Sequence, residues 1–252
     1  MSSMRKIAVI NLKGGVGKTT TTINLGIGLS NKKRRVLLID MDPQANLTEA
    51  LFLRNDKTIY DLLINKVHPS EVIMKVNDFL DAIISDKKLS NGELIMAGMP
   101  SRETILKRAM EPVFNYDYVI IDCPPSNGLL NYNALLYADE AFVPVSTDYL
   151  GIVGLRRIVE IIDEINELFD HKIKISTVIP TMFDRRNKIC NESLNEIKRG
   201  FNGEVVDPIR INSKLKEMPR SGMSIFDYAK KSRGAEDYSK LVNHLLNKEE
   251  YY

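Results

Sequence analysis

The sequence predicts an α/β fold, a doubly wound and mostly parallel sheet with helices on both faces. Short apolar runs rich in Val and Ile recur along the chain, and segments with helical periodicity separate them. These runs are almost continuously hydrophobic, as expected of parallel strands that are covered on both faces. No repeat or low-complexity linker interrupts the alternation, so we expect a single domain over residues 1–252.

The first predicted strand is KIAVIN, which runs from Lys6 to Asn11 and ends just before a glycine-rich stretch. Further strands are predicted at 36–41, 118–123, 140–145 and 174–179, and a weaker one at 204–209. Because the first strand begins so early, we expect no helix-turn-helix domain in front of it.

Helices are predicted between these strands. Helical patterns cover residues 18–30, 127–137, 151–169, 187–200 and 232–247. In the third of them, five apolar residues fall on one face of the helix: Ile158, Ile161, Ile162, Ile165 and Leu168. The segment 79–110 is ambiguous, because 93–99 could form a strand or a helix. The residues Pro100, Ser101 and Glu103 suggest a new helix start there.

Composition excludes several classes of protein. Hydrophobic residues make up 44% of the chain, enough for one large core. Two cysteines, Cys123 and Cys190, are too few for a disulfide framework or a four-ligand zinc site. No apolar run approaches the roughly 20 residues of a membrane-spanning helix, and the first residues are too polar for a signal peptide. We therefore expect a cytoplasmic protein.

The motif KGGVGKTT follows the first predicted strand and opens the first predicted helix. It is a variant of the phosphate-binding loop, in which glycines let backbone N–H groups curl around phosphates and the helix directs its positive end at them. Lys18 would supply a cation for the β and γ phosphates, Thr19 a hydroxyl for Mg²⁺, and Thr20 a contact to the α phosphate. The sequence therefore predicts a P-loop ATPase that uses ATP and Mg²⁺, with these nucleotide-binding residues: Lys13, Gly14, Gly15, Val16, Gly17, Lys18, Thr19 and Thr20.

Acidic residues end two of the predicted strands. Asp122 closes the run VIID, at the sheet edge where the loop also lies, and is the expected Walker B ligand of Mg²⁺, acting through water. Asp40 and Asp42 lie two residues apart in LLIDMD, so they share a side while the chain is extended. Either carboxylate could orient the attacking water, although Asp42 before Pro43 could also serve only to make a turn.

Charge is unevenly distributed along a chain whose net charge is only +2. Between residues 171 and 236 there are 14 Lys or Arg residues against 8 Asp or Glu residues. Such a basic late region permits a local face that binds polyanions, but an ordinary solvated surface accounts for the same count.

Together these motifs resemble the ParA/Soj branch of the ParA–MinD ATPases. KGGVGKTT matches the deviant Walker A motif of that family, and LLIDMDPQAN, VIIDCPPS and KSRGAEDY are similar to three of its further elements. The likeness extends over nearly the whole chain.

The resemblance implies a DNA-partitioning ATPase that closes as an ATP-sandwich dimer. Lys13 corresponds to the signature lysine, which would reach the phosphates held by the partner subunit and stabilise charge in the transition state. Asp42 matches the hydrolytic aspartate, which leaves Asp40 as a group near Mg²⁺. The catalytic residues would thus be Lys13, Lys18 and Asp42, and the metal site would comprise Thr19, Asp122 and Asp40. Hydrolysis would be slow until a ParB-like centromere-binding protein stimulates it.

The resemblance also implies ATP-dependent binding to non-specific DNA, and hence association with the nucleoid. Arg186 falls at a DNA-contacting arginine of the family, and Lys214 at another where Lys replaces Arg. The surrounding RINSKL departs from the family pattern, and Lys offers a point charge rather than a bidentate fork. Arg185, Lys188 and Lys216 are further candidates. From chain position alone, Asn11 and residues 207–212 could border the nucleotide base.

Three alternatives remain open. A MinD-like membrane-positioning ATPase would need a basic amphipathic C-terminal helix, whereas this chain ends LVNHLLNKEEYY, so we expect no membrane partner. A bacterial tyrosine kinase would use a C-terminal tyrosine cluster, for which Tyr251 and Tyr252 are the only sign. A transcriptional regulator would need the helix-turn-helix that the early first strand disfavours.

Overall fold

A computed structural model describes residues 4–249, so Tyr251 and Tyr252 lie outside the described residues. Its centre is one seven-stranded sheet, consisting of β1 (Arg5–Val9), β2 (Val36–Asp40), β3 (Met74–Asn77), β4 (Leu80–Ile83), β5 (Tyr118–Asp122), β6 (Glu140–Ser146) and β7 (Lys174–Thr181). The strand order is β3-β4-β2-β5-β1-β6-β7. Every neighbouring pair is parallel except the edge pair β3 and β4. The predicted doubly wound, mostly parallel sheet is confirmed.

Ten α-helices connect the strands and cover the sheet: α1 (Lys18–Ser30), α2 (Asn46–Ala50), α3 (Lys88–Ala97), α4 (Ile105–Ala109), α5 (Leu129–Tyr137), α6 (Tyr149–Phe169), α7 (Lys188–Gly200), α8 (Ser213–Glu217), α9 (Ile225–Tyr228) and α10 (Arg233–Glu249), counted within the described range. The ambiguous segment 93–99 belongs largely to α3, and α4 follows the helix start predicted near Pro100.

Two hydrophobic cores lie on opposite faces of the sheet. Along β1 and the residue that follows it, Ile7 and Val9 belong to one core, whereas Ala8 and Ile10 belong to the other. All four side chains are fully buried. This alternation across a fully covered strand explains why the sequence of β1 shows no polar face.

One predicted strand is wrong. Residues 204–209 form no strand. Isolated bridges pair Val205 with Val178 and Arg210 with Phe183, and the Ile209 N–H donates to the Pro180 carbonyl over 2.8 Å. Pro208 lies between these two points and has no N–H group, so a continuous ladder cannot form there. Strands β3 and β4 were not predicted, because four residues are too few to show a clear pattern.

Parallel pairing brings the carboxyl ends of β1, β2 and β5 to one edge of the sheet. Val9 pairs with Asp122, and Asp122 in turn pairs with Asp40. The glycine-rich loop leaves β1 at this same edge. The fold therefore places the predicted loop and the predicted carboxylates side by side.

Candidate nucleotide site

The loop between β1 and α1 forms a cradle of backbone. Gly15 and Gly17 have φ values of 72° and 95°, in the left-handed region that favours glycine. A Cβ atom added at Gly14 or Gly15 would meet no atom within 4 Å, so there is open space beside these two glycines. Thr181 at the end of β7 donates a hydrogen bond to the Val16 carbonyl over 2.9 Å and fixes the loop from behind.

A cavity of about 590 Å³ lies over this cradle. The loop residues Gly14 to Thr20 and Asp42 form one side of it. Ile209, Ile211, Leu215 and Met218 form an apolar wall elsewhere in the same cavity. A polar cradle joined to an apolar wall suits a ligand with a phosphate chain and a flat base.

Lys18 is buried at the start of α1, and only 7% of the residue is exposed. Its Nζ donates to the backbone carbonyl of Lys13 over 3.3 Å. Burial lowers the pKa of Lys18, although the charge of Asp122 acts in the opposite direction. The side chain is thus held at the phosphate cradle by few contacts, and an anionic ligand would favour its charged form.

Lys13 lies differently, because its side chain is not part of the cavity lining. Its Nζ donates to Ser146 over 3.0 Å and to both carboxylate oxygens of Asp148 over 2.9 and 3.0 Å. Asp148 is also the N-cap of α6 and accepts from the Gly151 N–H over 2.7 Å. The lysine is therefore fixed at the rim of the site, away from the cradle of its own chain.

Asp122 makes the central polar contact of the site. Its Oδ2 accepts from the Thr19 hydroxyl over 2.7 Å, and its Oδ1 accepts from the Thr22 hydroxyl over 3.3 Å. Burial raises the pKa of the carboxyl group, and the neighbouring Asp40 raises it further. Two buried carboxyl groups on adjacent strands would be stabilised by a cation placed between them and the phosphates.

Asp40 holds the loop that follows β2. One of its oxygens accepts from the Asp42 N–H over 3.1 Å. The other accepts from the backbone N–H of Thr48 over 3.0 Å and from its hydroxyl over 2.7 Å. Burial raises the pKa of Asp40. These contacts fix the path of the chain from Asp42 to α2.

Asp42 borders the cavity and is only 6% exposed. Its Oδ1 accepts from the Gln44 N–H over 2.9 Å, and no hydrogen bond to Oδ2 is found among residues 4–249. This is the turn-forming contact that the sequence allowed, and it leaves Oδ2 without a hydrogen-bond partner in the described chain. Asp42 can therefore be part of a turn and also accept a proton from water.

The donor set fits magnesium. Mg²⁺ binds oxygen ligands, usually one or two from protein together with water and phosphates. The Thr19 hydroxyl and the Asp122 carboxylate are in contact beside the cradle. Within the described chain no group of three or more His, Cys, Asp or Glu residues could hold a metal ion by itself. Thr19 and Asp122 are therefore the two side chains that could hold Mg²⁺ beside the cradle.

The last helix supports both ends of the cavity. The Tyr238 hydroxyl is 3.1 Å from the Thr21 hydroxyl of α1, and both residues are buried. Asp237 accepts from the Arg210 backbone N–H over 2.9 Å and from the guanidinium at 2.6 to 3.0 Å. The SRGAEDY motif therefore ties the apolar wall and the phosphate-loop helix to one element.

Asn11 and the segment 207–212 were both expected to border the nucleotide base, and only the segment lines the cavity. Ile209, Arg210, Ile211 and Asn212, from the segment 207–212, line the cavity. Asn11 does not, because its side chain donates to the Pro144 carbonyl over 2.7 Å and accepts from the Lys13 N–H over 2.9 Å. Asn11 is fully buried and stabilises the backbone at the start of the loop.

The basic candidates lie on two segments that run side by side near the carboxyl end of β7. Phe183 exchanges backbone hydrogen bonds with Ile209 and Ile211, so the segment after β7 runs beside the segment that leads into α8. The side chains of Arg186 and Lys188 are 90% and 88% exposed, and Arg185, Lys214 and Lys216 are exposed as well. Three of the five pair with neighbouring acids, namely Arg186 with Asp184, Lys188 with Glu192, and Lys214 with Glu217.

Comparison with known proteins agrees with this geometry. Residues 4–175 match the model of a family described as an AAA domain. The chain is 36% identical to the chromosome partitioning protein ParA of Myxococcus xanthus, over 97% of this chain and 89% of that protein. It is 38% identical to the sporulation initiation inhibitor protein Soj of Bacillus subtilis, over 95% and 97%. The chain belongs to the ParA/Soj family of ATPases.

Solved structures place a nucleotide on this fold. The ATP complex of a McdA variant from Cyanothece has a TM-score of 0.89 and 26% identity, and the match covers 98% of each chain. A cobyrinic acid a,c-diamide synthase of Mycobacterium smegmatis, with a bound ATP analogue and magnesium, has a TM-score of 0.83 and 30% identity over 96% and 94% of the chains. This member of the ParA/Soj family is thus an ATPase with the P-loop fold.

Sequence reasoning missed several residues that shape the site. Asp148 follows β6 in the run STDYLG, where a Ser-Thr-Asp series before a helix is a recognisable N-cap signal. Thr22 has no such signal, because its contact with Asp122 depends on how α1 packs against β5. The roles of Arg210 and Asp237 also depend on a contact between segments distant in sequence.

Proposed function

We propose that this chain is a DNA-partitioning ATPase whose ATP-bound form is a homodimer on non-specific DNA. In this cycle, two chains close over their nucleotides, and the dimer binds DNA through its basic edge. A ParB-like centromere-binding partner stimulates hydrolysis, and DNA is released. The ParA relative of Myxococcus xanthus, a chromosome partitioning protein, supports the cellular role.

The position of Lys13 is the observation that carries the dimer. A lysine of the phosphate loop would normally be expected to serve its own nucleotide, yet the side chain of Lys13 lies outside the cavity lining. It is held at the rim by Asp148, whose side chain is 44% exposed. A rim lysine with a partly exposed partner can exchange that partner for phosphates held by a second copy of the chain.

Each residue of the site has a role in the proposed reaction. Lys18 would bind the β and γ phosphates, and Thr19 and Asp122 would hold Mg²⁺. Bound Mg²⁺ supplies charge neutralisation along the phosphate chain. Asp42 would orient the attacking water and accept its proton, while Asp40 holds the loop that positions Asp42. Lys13 of the second subunit would stabilise charge that develops at the transferred phosphoryl group.

Membrane targeting has less support than DNA binding. No helix in residues 4–249 is long and apolar enough to cross a membrane. In α10, the apolar residues Tyr238, Leu241, Val242 and Leu245 are buried in the core against α1. The apolar face that a membrane-surface helix would need is therefore already covered by protein.

DNA binding measured with ATP, with ADP and without nucleotide tests the function. We expect tight, salt-sensitive binding to random duplex DNA with ATP only. Arg186→Ala should weaken that binding and reduce the slope of log affinity against log salt by about two, one for each subunit of the dimer. Glu167→Ala, at an exposed acidic site, is the charge-changing control. Equal DNA affinity in all three nucleotide states would contradict the proposal.

Lys13→Gln tests the dimer separately. The variant should bind ATP with nearly wild-type affinity, because Lys13 lies outside the cavity of its own chain, but it should remain monomeric with ATP. Sedimentation and nucleotide titration measure the two properties. A Lys13→Gln chain that dimerises normally with ATP would rule out the role across the interface.

A further inference from the structure

Helix α8 carries two lysines, Lys214 and Lys216, which were expected to bind DNA together. Residues two apart on a helix do not share a face. Lys214 donates to Glu217 over 2.7 Å, and its ammonium group lies 5.9 Å from the centre of the Tyr228 ring. Lys216 instead lines the nucleotide cavity, next to Leu215 in sequence and together with the phosphate loop. The two lysines therefore have different surroundings.

The charges around the cavity distinguish Lys216 further. Arg210 also lines the cavity, but its guanidinium is paired with Asp237 at 2.6 Å and with Glu236 at 2.7 Å. Lys18 donates to the carbonyl of Lys13. Lys216 has no ion pair or hydrogen bond from its side chain among residues 4–249. It is thus a cavity-lining cation without an ion-pair partner in the described chain.

We infer that Lys216 is a nucleotide-binding residue, which contacts the phosphates of the nucleotide held by its own chain. This inference rests on the proposed nucleotide site and assigns it a further cation. An ammonium group is a point charge that suits phosphate oxygens. The Lys216 ammonium group lies on a flexible four-carbon stem, and the cavity that this residue lines is the one that the phosphate loop also lines. Its role is therefore in nucleotide affinity, and the DNA surface of α8 is left to Lys214.

Titration with a fluorescent ATP analogue and Mg²⁺ tests the assignment. Lys216→Ala should weaken binding about tenfold, as expected for the loss of a charged contact. Lys216→Arg should restore most of the affinity, because it restores the charge. Adenosine should compete equally well in wild type and Lys216→Ala, because it has no phosphate. The matched control is Arg220→Ala, an exposed cation four residues further along that does not line the cavity.

A second measurement separates this inference from the function on which it rests. At saturating ATP, Lys216→Ala should bind random DNA as tightly as wild type. Unchanged ATP affinity of Lys216→Ala would overturn the inference. Weaker DNA binding at saturating ATP would also overturn it, because it would indicate that Lys216 contacts DNA. Failure of the proposed nucleotide site would look different, since Lys18→Ala would then still bind ATP like wild type.

Discussion

Replacing Asp148 by Asn should tighten the proposed ATP-dependent dimer. In the monomer, Nζ of Lys13 lies within 3.0 Å of both carboxylate oxygens of Asp148. Before Lys13 can reach a second subunit, this ion pair must break. Asn at the same position keeps a side-chain oxygen for the N-cap contact with Gly151 but removes the charge. The substitution therefore weakens one competing contact while α6 stays capped.

The structure sets the size of the effect. The side chains of Lys13 and Asp148 are 31% and 44% exposed, so solvent screens the pair and its worth is about 0.5 kcal/mol. A symmetric dimer breaks two such pairs, which gives about 1 kcal/mol in total. That corresponds to a roughly fivefold lower dissociation constant of the dimer.

Sedimentation equilibrium with a nonhydrolysable ATP analogue and Mg²⁺ measures this constant. Asp163→Asn is the matched control, because it makes the same charge change at an exposed position of α6. Its dimer should resemble wild type. Unfolding by urea should show that the fold of Asp148→Asn is intact. A dimer of Asp148→Asn that is no tighter than that of Asp163→Asn would refute the competition between Asp148 and the second subunit.

Three further predictions concern hydrolysis and stability. Asp42→Ala should lower ATP turnover about a hundredfold or more, while nucleotide affinity is retained. Steady-state phosphate release measures turnover, and a rate near that of wild type would argue against Asp42 as the base. Tyr238→Phe should lower the unfolding free energy by about 1–2 kcal/mol, because the buried Thr21 hydroxyl loses its partner. An unchanged midpoint of urea unfolding would contradict that contact. The pKa of Asp122 is raised by burial, so the folded chain holds a proton that the unfolded chain releases near pH 4. Without nucleotide, stability should therefore fall as pH rises above about 4, and Asp122→Asn should flatten this dependence in urea titrations at several pH values.

Local motifs predicted the part of the site that lies within one stretch of chain. The loop from Gly14 to Thr20 consists of consecutive residues, so its glycines and the Lys-Thr pair that follows them can be recognised in the sequence. The position of Asp122 could be predicted equally well. A carboxylate at the end of a buried parallel strand must lie at the edge where the loop leaves β1. In both cases the prediction required only the order of strand, turn and helix.

Contacts between distant segments were not predictable in the same way. The ion pair of Lys13 with Asp148 joins residues 135 positions apart, and it exists because β6 lies beside β1 in the sheet. Strand order of this kind depends on how whole layers pack. The same holds for Lys216, whose sequence neighbours suggest a basic surface, whereas the path from β7 through residues 209–212 turns it towards the cavity. A lysine's function here depends on which face of a five-residue helix it occupies, and only the packing of that helix decides this.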